Sequence, residues 1–183
     1  DFFEIEMFSN IRAIIGQDLS TVMIVDIGAS KTKVSIVDRG VIQDFHIVNK
    51  GSQDITIALS VGLQISFAEA EEQKKRFGLD ENPKYPKAKE ITQSTLDYIF
   101  FEINNVVLSY EKKYNNSVSK VILTGGGVML KNFMEIAPKK FGTEVGLGNP
   151  FSKIQSPAFL EGVLAESGPE FGVAAGLALR KLN

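Results

Sequence analysis

Two glycine-containing segments each close a run of apolar, strand-like residues. The first reads Asp26-Ile27-Gly28-Ala29-Ser30-Lys31-Thr32 and the second Leu123-Thr124-Gly125-Gly126-Gly127. A backbone approaches a phosphate closely only where side chains are absent, and glycine also permits the positive φ angles of an anion-binding turn. We therefore interpret the two segments as two walls of one nucleotide pocket.

The first segment combines a carboxylate, hydroxyls and a lysine. Asp26 ends an apolar strand, where a carboxylate is costly unless a charged or hydrogen-bonding group meets it. Hydrated Mg²⁺ would do so, since magnesium takes one or two carboxylates and keeps several waters. Gly28 leaves the following amides free, while Ser30 and Thr32 add hydroxyls and Lys31 a positive charge. A β-hairpin whose Asp and Ser side chains satisfy turn amides explains the same residues, so both interpretations stay open.

The triple glycine of the second segment suggests an anion site of a different kind, made of backbone amides. A strand that feeds a glycine turn into a helix places free amides and a positive dipole end at one spot, which suits a phosphate or a ribose. Neither G-x-G-x-x-G with a downstream acid nor G-x-x-x-x-G-K-[ST] occurs here. A close-packed turn between strand and helix remains the alternative.

The composition narrows the functional class. The chain has 183 residues, 44% of them hydrophobic, which is ordinary for a globular protein. Its net charge of −2 predicts no general attraction to nucleic acid or to an anionic membrane. It has no cysteine, and the lone His46 cannot build a zinc site. Without a membrane-length apolar run or a signal peptide, we expect a soluble cytoplasmic protein.

Hydrophobic periodicity predicts the elements that position these segments. Apolar runs predict three strands over 22–27, 34–37 and 41–48, joined by tight turns into an antiparallel meander. A buried strand over 118–124 leads through the glycines into a helix reaching 141, and 144–147 forms a short strand. The helical spacing of apolar residues predicts further helices over 8–15, 54–63, 67–77, 87–114 and from near Pro169 to the end.

These segments carry a family resemblance. Asp26-Ile27-Gly28-x-x-x-Thr32 resembles the second phosphate motif of the actin, Hsp70 and sugar-kinase superfamily. The run Leu123-Thr124-Gly125-Gly126-Gly127-x-x-Leu130 is similar to its adenosine motif, and Ala70-Glu71-x-x-Lys74-x-x-x-Gly78 to its nucleoside-contacting helix. The C-terminal run from Pro169 to Arg180 and the turn Asn149-Pro150-Phe151 resemble the PilM branch, the actin-like protein of type IV pilus assembly.

The resemblance implies an α/β fold, the actin-like (ribonuclease H-like) ATPase half with a mixed sheet and a small inserted α/β subdomain. It covers the second half of the family, because the first phosphate motif has no counterpart here. The implied boundaries are a connecting helix in 1–20, subdomain 2A in 21–61 and 115–183, and subdomain 2B in 62–114.

The resemblance also implies ATP and Mg²⁺ as ligands. Asp26 would hold Mg²⁺ through water, and the β- and γ-phosphates would contact Gly28, Ala29, Ser30, Lys31 and Thr32. Ribose and α-phosphate would contact Gly125, Gly126 and Gly127, with Leu130 beside them, and Glu71 with Lys74 would meet the nucleoside. The nucleotide would act chiefly as a conformational ligand, with weak ATPase activity at most and no catalytic residue assigned.

The implied partner is the tail of a PilN-like inner-membrane protein, bound mainly by the missing half. The protein would then be cytoplasmic and peripheral to the inner membrane, without direct membrane insertion; self-association is open. Two alternatives remain: an FtsA-like filament-forming division protein, whose C-terminal membrane helix is absent here, and an actin-like small-molecule kinase. One departure from the family is Lys131-Asn132, which stands where a Pro-Gly pair is frequent.

Overall fold

A computed structural model describes residues 3–16 and 18–180, and it places five strands in one mixed sheet. The sheet order is β3-β2-β1-β4-β5. β1, β2 and β3 are antiparallel, whereas β4 runs parallel to β1 and β5 parallel to β4. The predicted meander and the mixed α/β sheet are confirmed. The strands are β1 (Val22–Ile27), β2 (Thr32–Asp38), β3 (Val41–Val48), β4 (Lys120–Thr124) and β5 (Glu144–Leu147).

Helices cover both faces of this sheet. They are α1 (Glu6–Ile14), α2 (Ser52–Leu63), α3 (Phe67–Phe77), α4 (Ala88–Tyr114), α5 (Phe133–Phe141), α6 (Glu161–Ser167) and α7 (Gly172–Arg180). The helix predicted directly after the triple glycine is interrupted: a 3₁₀ turn spans Gly126–Met129, and α5 starts only at Phe133. Likewise, Pro169 lies in a 3₁₀ turn that leads into α7. The predicted extension of the last helix to residues 181–183 lies outside the described residues.

Successive side chains of β1 point to opposite faces of the sheet and belong to two separate core clusters. Met23, Val25 and Ile27 face one side, where they join a large cluster with residues of α2, α4 and α5. Val22 and Ile24 face the other side, toward α1. Because successive side chains of a strand point to opposite faces, Asp26 shares the α1 side with Ile24.

Residues 62–114 differ from the expected inserted α/β subdomain. They contain helices and loops but no strand among the described residues, so this segment is helical. The buried residues Leu96, Ile99 and Phe100 of α4 belong to the same core cluster as Met23 and Val25. The apolar face of this helix therefore packs toward the main sheet. The subdomain boundaries themselves remain predictions.

The N-terminal helix is held against α7 by a polar contact network. Arg12 donates to the carbonyl of Gly176 at 3.0 Å and to Oε2 of Glu4 at 3.0 Å. Ser9 donates to the same Glu4 oxygen at 2.8 Å. Hydrogen bonds from Arg12 and Ser9 lower the pKa of Glu4 from its ordinary 4.5 to about 2. Glu4 thus fixes the Arg12 side chain that joins α1 to α7.

This network predicts a pH-dependent contribution to stability. Because the folded-state pKa of Glu4 is depressed, its contribution is present above pH 4.5 and is lost as the pH falls toward 2. We expect Glu4→Gln to lower the urea midpoint at pH 7 and to differ less from the unaltered chain as the medium is acidified. Urea titrations between pH 7 and pH 3 measure this difference. A gap between the two proteins that stays constant over that range would contradict the account.

No helix among the described residues has both the length and the apolarity that a membrane crossing requires.

Candidate functional site

One cavity of about 530 Å³ lies between the glycine turn after β4, the start of α2 and one side of α3. Its walls include apolar side chains and glycine backbone on one side and a charged cluster on the other. The lining residues are Ala29, Ser52, Ile55, Glu71, Lys74, Lys75, Gly126, Gly127, Met129, Leu130 and Glu170. A volume of this size suits a small organic ligand.

The glycine turn is packed against β1 and the approach to α7. Gly125 has φ +86°, a conformation that side-chain-bearing residues rarely adopt, and a Cβ there would overlap the carboxylate of Asp26. Its amide donates to the carbonyl of Pro169 at 2.8 Å. A Cβ on Gly127 would overlap the side chain of Ile27, whereas one on Gly126 would meet only Glu170, at 3.5 Å. Gly126 therefore offers an open backbone surface to the cavity.

The segment after β1 folds into a tight turn that caps α2. The amide of Gly28 donates to the carbonyl of Lys31 at 3.0 Å. The carbonyls of Gly28 and Ala29 accept from the amides of Ser52 and Gln53 at 2.9 and 2.8 Å. These bonds satisfy amides at the helix start and fix the segment beside the cavity.

The remaining polar residues of that segment do not line the cavity. Ser30 and Lys31 are exposed. Thr32 is fully buried, and its hydroxyl donates to the carbonyl of Lys50 at 2.9 Å. In this arrangement the Thr32 hydroxyl stabilises the connection into α2.

A buried lysine organises the charged wall. Nζ of Lys74 donates to the Thr56 hydroxyl at 2.9 Å and to the Ser52 carbonyl at 3.2 Å, and it lies 2.8 Å from Oε2 of Glu71. Thr56 donates to the same Glu71 oxygen at 2.6 Å. Burial raises the pKa of Glu71, but the hydrogen bonds from Lys74 and Thr56 outweigh it and hold the pKa below its ordinary value. Glu71 and Lys74 therefore form a charged pair at the cavity.

Asp26 lies on the α1 side of the sheet, beside the glycine turn, and does not line the cavity wall. Its Oδ2 accepts from the Asn10 amide at 3.3 Å. Burial raises the pKa of Asp26, and the neighbouring Lys33 charge and the Asn10 hydrogen bond offset this rise only in part. The charge of this carboxylate is thus incompletely compensated by the protein, which fits a hydrated cation as an additional partner.

No group of three or more acidic or histidine side chains suited to a metal occurs in the described residues. A single carboxylate acting through water, as predicted for Asp26, needs no such group.

The structure brings together half of the predicted site residues in one cavity, namely Ala29, Glu71, Lys74, Gly126, Gly127 and Leu130. Gly125 and Asp26 stand beside the turn, while Gly28, Ser30, Lys31 and Thr32 are not among the lining residues. Sequence reasoning missed Glu170, Lys75, Met129, Ser52 and Ile55. No sequence pattern around Glu170 indicates the site, because residue 170 comes next to the glycine turn only through tertiary folding.

The departure at Lys131-Asn132 has a structural explanation. Asn132 adopts φ +62°, a left-handed conformation that glycine favours and asparagine tolerates. Asn132 therefore adopts a backbone conformation that a glycine at this position would also adopt.

A family comparison supports the resemblance found in the sequence. The family model described as "Cell division protein FtsA" matches residues 23–163. This range includes the glycine turn, α3 and the segment after β1.

Solved structures share the fold. The "PilM-PilN type IV pilus biogenesis complex" superposes with a TM-score of 0.86 at 20% identity, covering 100% of this chain and 53% of that chain. The ethanolamine utilization protein EutJ from Carboxydothermus hydrogenoformans gives 0.67 at 21% identity, covering 95% and 53%. MreB 5 of Spiroplasma citri, bound to AMPPNP, gives 0.66 at 16% identity, covering 95% and 57%. The chain thus has an actin-like fold and spans little more than half the length of these proteins.

Proposed function

The chain belongs to the FtsA family, and on this premise we propose that it is a nucleotide-binding half of an actin-like assembly protein of type IV pilus biogenesis. One observation carries the nucleotide proposal. Residues from three separate segments, Ala29, Glu71 with Lys74, and Gly126 with Gly127, line a single cavity. They come from the three motifs that resemble the superfamily's nucleotide contacts.

The walls of the cavity suggest how a nucleotide is oriented. Met129 and Leu130 offer an apolar surface opposite the charged pair on α3, which suits a nucleoside. Gly126 has no side chain, so ribose or α-phosphate can approach its backbone. Ala29 lies at the turn after β1, where we place the remaining phosphates. In this arrangement the nucleoside contacts apolar and charged side chains, and the ribose and phosphates contact backbone.

Mg²⁺ is the second proposed ligand. Asp26 would hold it through water, because its partly compensated carboxylate stands next to Gly125. The bound ion supplies positive charge that offsets the phosphates. Asn10 keeps the carboxylate oriented from the α1 side.

We place the opposite wall of the site outside these 183 residues, as the resemblance to the second half of the family implies. Half of the contacts to a micromolar ligand, about −8 kcal/mol, would leave about −4 kcal/mol, a millimolar affinity. Nucleotide then acts chiefly by stabilising one arrangement of the two halves, through its differential affinity for that arrangement. ATP hydrolysis by this chain alone is not part of the proposal.

The pilus assignment rests on the solved complex, in which PilM is paired with PilN. We propose a PilN-like membrane protein tail as partner, bound mainly by the opposite half. The protein would then work in the cytoplasm beside the inner membrane.

Calorimetric titration of Mg-ATP into the chain, extended to several times about 1 mM, tests the nucleotide proposal. We expect saturable binding, and we expect Gly126→Leu to weaken it at least about tenfold because the leucine would occupy cavity volume. Gly126 is suited to this substitution, since a Cβ there meets no atom closer than 3.5 Å.

Gly162→Leu is the matched control. A Cβ on Gly162 would meet no atom within 4 Å, and this residue of α6 does not line the cavity. It should leave the affinity unchanged. No binding by the unaltered chain, or equal binding by Gly126→Leu, would contradict the assignment of the cavity.

A filament-forming division protein is the second candidate, because the matching family model describes a cell division protein. Assembly of this kind would appear as light scattering that rises with protein concentration and with added Mg-ATP. A chain that stays monomeric under both conditions would argue against it.

A further inference from the structure

We propose that Asp80 is a positioning residue that sets the width of the nucleoside end of the cavity. This inference rests on the proposed nucleotide function and extends it to a residue outside the recognised motifs. Asp80 lies in the loop after α3 and contacts Lys131 and Asn132. These two residues directly follow Leu130, which lines the cavity. Asp80, Lys131 and Asn132 are called the Asp80 clamp below.

The clamp uses both oxygens of one carboxylate. Oδ1 of Asp80 accepts a hydrogen bond from the Asn132 side-chain amide. Oδ2 lies 2.5 Å from Nζ of Lys131. A carboxylate that holds two consecutive residues fixes both the position and the direction of the chain there. Lys131-Asn132 is also the pair that departs from the family's frequent Pro-Gly.

Backbone contacts support the clamp next to Asp80. The amide of Leu79 donates to the carbonyl of Lys131 at 3.2 Å. Gly78 has φ +56°, and a Cβ there would lie 2.7 Å from the Lys131 carbonyl oxygen. The end of α3 and the residues after the glycine turn therefore touch main chain to main chain.

The loop that carries Asp80 is itself fixed to α3. Asn82 is 2% exposed, and its side chain donates to Gln73 of α3 at 2.9 Å. Its Oδ1 accepts from the amides of Lys84 and Tyr85 at 3.0 and 3.1 Å. Asp80 thus helps to fix the distance between α3 and the glycine turn. The nucleoside is placed in the gap between α3 and this turn.

The clamp acts on one end of the ligand only. Glu71 and Lys74 lie on the α3 side of the gap, and Met129 and Leu130 lie on the turn side. The turn after β1, where the phosphates are placed, is held by its own bonds to α2. Releasing the clamp should therefore widen the nucleoside end and leave the phosphate end in place.

Affinities of the full chain for three probes test this split: Mg-ATP, adenosine and inorganic tripolyphosphate, each by competition with a fluorescent ATP analogue. We expect Asp80→Ala to weaken ATP and adenosine binding about fivefold and tripolyphosphate binding by less than about twofold. The affinities of Asp80→Asn for ATP and adenosine should fall between those of the unaltered chain and those of Asp80→Ala, since Asp80→Asn keeps an acceptor for Asn132 and loses the ion pair with Lys131. It also serves as the milder variant if alanine impairs folding.

Glu81→Ala is the neighbouring control, because Glu81 is largely exposed and pairs with Lys89 instead. It should leave all three affinities unchanged. Equal weakening of all three probes in Asp80→Ala, or no weakening of any, would overturn the inference while binding by the unaltered chain upholds the proposed function. Absence of binding by the unaltered chain would overturn both.

Discussion

Gly127→Ala is expected to destabilise the fold by about 3 kcal/mol, the upper end of the usual penalty for forcing an extra carbon into a packed core. The new Cβ would overlap the Ile27 side chain and lie 2.9 Å from the Ile27 carbonyl oxygen. Ile27 is 1% exposed and belongs to the main core cluster, so it has little room to move. Equilibrium urea unfolding of both proteins measures the change in the free energy of unfolding.

The adjacent glycine provides the control for this prediction. Gly126→Ala places its Cβ at ordinary contact distance from Glu170, an exposed side chain, and should change stability by less than about 0.5 kcal/mol. The two substitutions add the same group one residue apart. Equal destabilisation by both would show that the turn is not packed as described.

Lys74→Met is the second substitution with a large expected effect, about 2 kcal/mol of destabilisation, because a buried donor with three acceptors is lost. The Lys74 side chain is 9% exposed and its Nζ lies 2.8 Å from Oε2 of Glu71, so its removal deprives the Ser52 carbonyl of this donor and leaves Glu71 with Thr56 and the more distant Lys75. The penalty should shrink as the pH falls, because protonation of Glu71 then removes the unpaired charge. Thermal unfolding at pH 7 and pH 4 measures this change.

A double variant separates the charge effect from the loss of packing. Adding Glu71→Gln to Lys74→Met should recover part of the stability, because the glutamine keeps an acceptor for Thr56 and carries no negative charge that Lys74 would have to balance. Lys75→Met is the exposed control, since that side chain is 74% exposed and lies 3.5 Å from Glu71. If Lys75→Met destabilises as much as Lys74→Met, the contacts of the buried Lys74 are not the cause.

Local signals in the sequence were sufficient for most elements. Helix α3 matches its predicted limits, because Ser66 caps its start by accepting from the Glu69 amide and Gly78 ends it with a positive φ of +56°, which glycine adopts without strain. Strand β1 follows from an apolar run that closes in Asp26 and Gly28. Such signals depend on neighbours in the sequence and can be recognised there.

Contacts between residues far apart in the sequence could not be predicted from these local patterns. The hydroxyl of Thr32 bonds the Lys50 carbonyl, and Glu170 reaches the glycine turn from near the C-terminus. Asp26 stands on the α1 side of the sheet because side chains alternate along β1, which depends on how the helices cover the two faces. These relations come from tertiary packing, as does the inclusion of α4 in the main core.

Amide hydrogen exchange with and without Mg-ATP, at about 5 mM nucleotide, tests the central claim that separate segments form one nucleotide site. The account predicts slower exchange at the turn 28–32, at the start of α2 and at the glycine turn 125–130 together. It predicts no change in β3 or α6. Protection confined to one of these segments, or none in any of them, would contradict the shared site.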